Sequence, residues 1–136
     1  MQLTHYAITT AHIDATLYFY THFCGQRIVK DRNQGAKRVC WLAPWDSAGP
    51  ILVVIEQKNV AYATQASDSM LRHFGFELHS RDAVNALYNE FLRHNIEATE
   101  PMYVDEFTGY ITMTQDPDGR WVEFSHGQDV SPTNWD

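Results

Sequence analysis

LTHYAITTAHIDATLYFYTHF, Leu3–Phe23, returns 68 residues later as LRHFGFELHSRDAVNALYNEF, Leu71–Phe91. Without a gap, Leu3 meets Leu71, His5 meets His73, Asp14 meets Asp82, Ala15 meets Ala83, Tyr20 meets Tyr88 and Phe23 meets Phe91. That is six identities in 21 positions, where ordinary residue usage gives roughly one or two. Tyr6 with Phe74, Ile8 with Phe76 and Phe19 with Leu87 are similar pairs in the same register. One residue of slippage then sets Ile55-Glu56 against Val122-Glu123. A fixed internal offset marks a duplicated structural unit. The chain reads as a single domain, 1–136, made of modules of about 1–68 and 69–136.

Within each copy the pattern changes period in the same order. Leu3–Thr10 and Leu71–Leu78 alternate as strands. A helix follows: Asp82 is expected to cap it in the second module, and Val84, Leu87, Tyr88 and Phe91 form its apolar stripe. Asp14 begins the equivalent helix, through Leu17, Tyr20 and Phe23. Short strands are expected at about 27–31, 37–43 and 51–57, then at about 102–105, 109–115 and 120–126. Asp116-Pro117-Asp118-Gly119 has Pro and Gly where a type I turn wants them, which predicts a hairpin. The fold class is therefore α+β. Two paired βαβββ modules would form a curved eight-stranded mixed sheet around a central cavity, with the helices outside. The tail after Gly127 has no periodicity and is expected to be loose or docked on a partner.

The composition limits what such a domain can do. Hydrophobic residues make up 44% of 136 and aromatic residues 13%, enough for a packed core, so disorder is excluded. The net charge of −7 argues against nucleic acid or an anionic membrane as partner, since both need clustered basic residues. No apolar run approaches the ~20 residues of a membrane span, and the first residues lack the character of a signal peptide. Two cysteines, Cys24 and Cys40, are too few for a disulfide framework. A reduced, cytoplasmic setting is the expectation.

Strand alternation then selects four residues. If Tyr6, Ile8, Phe74 and Phe76 pack under the helices, His5 and His73 face the concave side. On the closing strands, Ile55 and Val122 are expected to pack outward, with Glu56 and Glu123 facing in. Ala7 and Gly75, two positions past each histidine, leave room beside them. Two imidazoles and two carboxylates suit a divalent ion such as Ni, Co, Zn, Mn or Fe, with positions left for substrate. The run Ile51–Ile55 is continuously apolar, so alternation does not fix the face of Glu56. With Val53 facing in instead, His5, His73 and Glu123 would remain, the two-His, one-carboxylate set of non-haem Fe(II) oxygenases. By the same parity Leu52 and Val54 go with Glu56, and Trp121 and Ser125 with Glu123. Cys40, Tyr110, Thr112 and Thr114 are further candidates for the wall.

Two motifs add a family likeness. Phe19-Tyr20-Thr21-His22-Phe23-Cys24-Gly25 stands in place of FYxxxLG, and Asp116-Pro117-Asp118-Gly119-Arg120-Trp121-Val122-Glu123 matches DPDGxxxE. With the paired modules, the chain resembles the vicinal oxygen chelate superfamily of glyoxalases, bleomycin-resistance proteins and extradiol dioxygenases. That resemblance implies metal ligands at His5, Glu56, His73 and Glu123, with Glu56 and Glu123 as the catalytic candidates. It implies a metal-dependent lyase or isomerase acting on a small substrate with adjacent oxygens. A single-domain Fe(II) dioxygenase and a metal-free drug-binding protein are the alternatives. It further implies a homodimer. Thr9 and Val60 stand where glutathione-using glyoxalases have Arg and Asn, so the resemblance does not extend to glutathione.

Overall fold

A computed structural model describes residues 1–46, 48–58, 69–128 and 130. The elements run β1 (His5–Thr10), α1 (Ile13–His22), β2 (Gln26–Gln34), β3 (Lys37–Pro44) and β4 (Ile51–Glu56). After a 3-10 turn at Ser69–Leu71 come β5 (His73–Glu77), α2 (Arg81–Arg93), β6 (Met102–Tyr103), β7 (Tyr110–Gln115) and β8 (Trp121–His126). The chain divides into two compact units, Met1–Thr64 and Gln65–Asp136. Each carries one helix and one four-stranded mixed sheet, ordered β1-β4-β3-β2 and β5-β8-β7-β6. The expected α+β class, eight strands and two main helices are all present. Most of the tail after Gly127, and Asn59 and Val60, lie outside the described residues.

In both units the first strand pairs parallel with the last, and the helix makes the crossover. A parallel pair needs such a long return connection. In the second unit Phe91 of α2 packs on Phe124 of β8 at 5.3 Å between ring centroids, and Phe76 of β5 stacks on Phe124 at 5.7 Å. Val84, Phe91, Val122 and Phe124 are fully or almost fully buried. Each such side chain contributes about 1.5–3 kcal/mol by leaving water. In the first unit Tyr20, Leu42, Leu52 and Val54 take that part, and the buried hydroxyls of Thr10 and Thr16 meet at 2.8 Å. That last contact shows which face of β1 lies under α1.

Two local expectations are corrected. The cap of α2 is Ser80, not Asp82: Ser80 is extended (φ −161°, ψ 161°) and its Oγ accepts from the Ala83 N–H at 3.0 Å. Asp82 sits in the first turn, where its charge suits the helix dipole. Likewise α1 starts at Ile13, one residue before Asp14. The Asp116–Gly119 hairpin forms as expected, with Gly119 N–H on Asp116 C=O at 2.9 Å and Gly119 at φ +84°. The Asp116 carboxylate holds the turn by accepting from the N–H groups of Asp118 and Arg120, both at 2.9 Å.

Both cysteines are buried free thiols. Burial, then the hydrogen bond to Asp31 at 3.3 Å, pushes the Cys40 thiol up to about 11. Burial, then the neighbouring Cys24, pushes the Tyr6 phenol up to about 12. Both groups are neutral when protonated, so above their ordinary values the folded chain holds protons that the unfolded chain has released. Stability should therefore begin to fall above about 8.5–10, the unfolded range of these groups, and keep falling until the folded values of about 11 and about 12 are passed. Thermal unfolding at pH 8 and pH 10.5 checks this. The midpoint should drop in the wild type and drop less in Tyr6→Phe; a flat profile refutes it.

Candidate metal centre

Residues facing each other across a ladder point to the same side of the sheet. In the second unit the register is His73↔Trp121, Gly75↔Glu123 and Glu77↔Ser125, with Phe74↔Val122 and Phe76↔Phe124 in the alternate rows. Phe124 packs on α2. His73, Trp121 and Glu123 therefore share the face away from the helix, as expected. His73 Nε2 lies 3.5 Å from Glu123 Oε2, and the Glu123 side chain is 5% exposed. His73 Nδ1 is 2.8 Å from the Met70 carbonyl. A carbonyl only accepts, so Nδ1 carries the hydrogen and Nε2 is turned to the carboxylate.

Gly75 leaves space beside this pair. A Cβ there would stand 3.4 Å from Glu123 O and 3.5 Å from both Glu123 Cβ and Oε1. Alanine would just fit. Any branched side chain would lie across the carboxylate.

The first unit is built differently. There His5↔Ile51, Ala7↔Val53 and Thr10↔Glu56 are the pairs. His5 and Glu56 thus lie five residues apart along adjacent parallel strands, roughly 17 Å at ~3.3 Å per residue. They also face opposite ways. Glu56 shares its row with Thr10, whose hydroxyl meets Thr16 of α1, so Glu56 is on the helix side and Ile55 is not. This reverses the expected parity of β4. Glu56 Oε2 accepts from the Arg38 N–H at 3.3 Å, and Oε1 lies 3.6 Å from Lys58 Nζ. The residue standing opposite Ala7, as Glu123 stands opposite Gly75, is Val53, which is buried. His5 is exposed, with Nδ1 3.0 Å from Thr4 Oγ1.

The wall expected from parity is corrected on the same grounds. Thr112↔Phe124 and Thr114↔Val122 place both threonines on the helix side. Their hydroxyls donate to Thr99 C=O at 2.7 Å and Glu97 C=O at 2.5 Å. Tyr110 OH donates to Asn85 of α2 at 2.7 Å, and Cys40 pairs with Val54 on the helix side of the first unit. Ile111 and Met113 stand on the Glu123 side instead. Glu77 was missed by sequence reading. It lies on the same face as Glu123 and accepts from Ser125 Oγ at 2.9 Å and the Gly127 N–H at 2.7 Å. The β5 alternation that selected His73 reaches Glu77 after two more steps and would have found it.

A family model for the Glyoxalase/Bleomycin resistance protein/Dioxygenase superfamily matches residues 2–124. The chain belongs to this superfamily, as its motifs indicated. A protein of Pseudomonas aeruginosa, PA2024, is 34% identical over 134 residues, covering 96% of this chain and 91% of its own. Among solved structures, a glyoxylase/bleomycin resistance protein/dioxygenase domain from Frankia sp. EAN1pec has a TM-score of 0.77 at 16% identity, covering 94% of this chain and 98% of that one. The fosfomycin resistance protein FosX of Listeria monocytogenes has a TM-score of 0.74 at 14% identity, covering 95% of each. At those identities the likeness is one of fold. Members of the superfamily bind small molecules and are typically metal-dependent. No helix among the described residues is long and apolar enough to cross a membrane.

Proposed function

We propose that the protein holds a divalent ion on His73 and Glu123 of the second unit. On it the protein would act as a metal-dependent lyase or isomerase of the glyoxalase kind, on a small substrate with two adjacent oxygens. The observation that carries this reading is the 3.5 Å between His73 Nε2 and Glu123 Oε2. A direct N–H···carboxylate bond would close to about 2.7–2.9 Å. Two donors each about 2.0–2.2 Å from one ion, at tetrahedral or octahedral angles, stand roughly 3.0–3.5 Å apart. The pair has the spacing of co-ligands. His73 also has the orientation of a ligand, because its Nδ1–H on the Met70 carbonyl fixes the ring.

When bound, such an ion supplies Lewis-acid polarisation of the two oxygens. The chain supplies the rest. Gly75 leaves room beside the buried carboxylate: Glu123 would hold the ion through Oε2, the oxygen turned to His73, and Oε1, on the Gly75 side, would accept a carbon-bound proton, a contribution of about 10²–10⁴ in rate. Glu56, on the helix face of β4, takes no part. A homodimer, a cytoplasmic setting and a small-molecule partner complete the proposal.

A second reading has an observation of its own. Val53 at the place corresponding to Glu123 leaves the first unit without a matching carboxylate, which favours a ligand set with a single carboxylate, as in Fe(II) dioxygenases. Protein purified without chelators should contain close to one Ni, Co, Zn, Mn or Fe per chain by ICP-MS. Isomerisation of 2-oxoaldehyde adducts under argon supports the first reading, and iron with oxygen uptake on catechols the second. Wild-type protein that takes up no metal, even on reconstitution, sinks both.

A further inference from the structure

We propose that the indole N–H of Trp121 is a specificity determinant, donating a hydrogen bond to an oxygen of the ligand at the His73–Glu123 pair. This deepens the metal-site reading and rests on it. Trp121 Nε1 is buried and has no hydrogen-bond partner among the described residues; no other buried side-chain nitrogen or oxygen described there lacks one. Buried donors are otherwise almost always paired, because a donor removed from water and left unmet is costly.

Its place gives the vacancy a meaning. Trp121 is the direct ladder partner of His73, one inter-strand spacing away, and precedes Glu123 by two residues on the same face. The indole, the imidazole and the carboxylate thus rise from neighbouring positions on one face of the sheet. Two other polar groups on this face already have partners. Ser125 Oγ–H goes to Glu77 and His73 Nδ1–H to Met70 C=O. No Lys or Arg stands on this face of β5, β7 or β8 among the described residues. An indole N–H only donates and does not titrate in the working pH range. It therefore prefers a ligand whose oxygen accepts, such as a carbonyl, enediolate or catecholate, over one that presents an amine.

The test uses zinc-loaded full-length protein and 4-nitrocatechol as the probe, with Trp121→Phe removing the N–H and keeping an aromatic ring. Zinc content by ICP-MS should match the wild type, while the dissociation constant for 4-nitrocatechol rises about tenfold, the scale of one hydrogen bond. In the ¹⁵N spectrum, the indole signal absent from Trp121→Phe should move downfield when the probe binds wild type. Should that variant fail to fold, Trp41→Phe, Trp45→Phe and Trp135→Phe assign the signal by elimination. Zinc bound with unchanged probe affinity, or an unmoved indole signal, overturns the role of Trp121 alone. Wild type that binds no zinc overturns the metal reading and this inference together.

Discussion

Glu123→Ala should lose its metal, with affinity down about a hundredfold or more, whereas Glu56→Ala should stay within about twofold of wild type. Both substitutions remove one carboxylate from the end or middle of a closing strand, and from the sequence alone they are equivalent. The geometry separates them. Glu123 is buried and stands 3.5 Å from His73 Nε2. Its removal takes away half of the closest donor pair and the negative charge that favours a cation there. Glu56 is on the helix side and is occupied by the Arg38 N–H and Lys58, so its loss loosens only the start of β3. Metal titration with a chromophoric competitor, checked by ICP-MS, decides. Equal losses in the two variants would make Glu56 a ligand as well and refute the distinction drawn here.

The largest effect on stability is expected at Phe124→Ala, about 3–5 kcal/mol. Phe124 is 1% exposed and stands between the rings of Phe76 and Phe91, so truncation opens a cavity between sheet and helix that neither neighbour can fill without leaving its own contacts. A domain is typically stable by only about 5–15 kcal/mol, so this single truncation removes a large fraction of it. Phe107→Ala is the control. Phe107 is 70% exposed, and its loss should cost no more than about 0.5 kcal/mol. Urea unfolding followed by circular dichroism measures both. A Phe124→Ala midpoint close to that of Phe107→Ala would mean that this core does not hold the unit together.

The parts legible in the sequence were those where a period or a repeat leaves one answer. Tyr6 and Ile8 against Phe74 and Phe76 fixed the helix-facing side of the opening strands, and with it the side of His5 and His73. Asp116 to Gly119 fixed a hairpin, because Pro and Gly there have few other uses. The face of Glu56 was not legible. Ile51 to Ile55 is apolar at every position, and only the pairing of His5 with Ile51 sets its parity. The duplication hid the answer as well. The histidines are offset by 73 − 5 = 68 residues, but the structurally matched closing residues, Val53 and Glu123, by 123 − 53 = 70. Matching Glu56 to Glu123 by letter followed the sequence likeness into the wrong row. Thr112 and Thr114 misled for a related reason: hydroxyls suggest a wet wall, yet both are buried and satisfied by backbone carbonyls of the segment after α2.

The Val53 and Glu123 rows also bear on how a duplicated gene product ages. Two identical halves can exchange parts without consequence, and a change in either is masked by the other. Once one half holds a valine beside alanine and the other a glutamate beside glycine, that redundancy is gone. The second half has become the one in which a single replacement, at position 73 or 123, is felt at once. The first is released to vary along β4 so long as its sheet still closes.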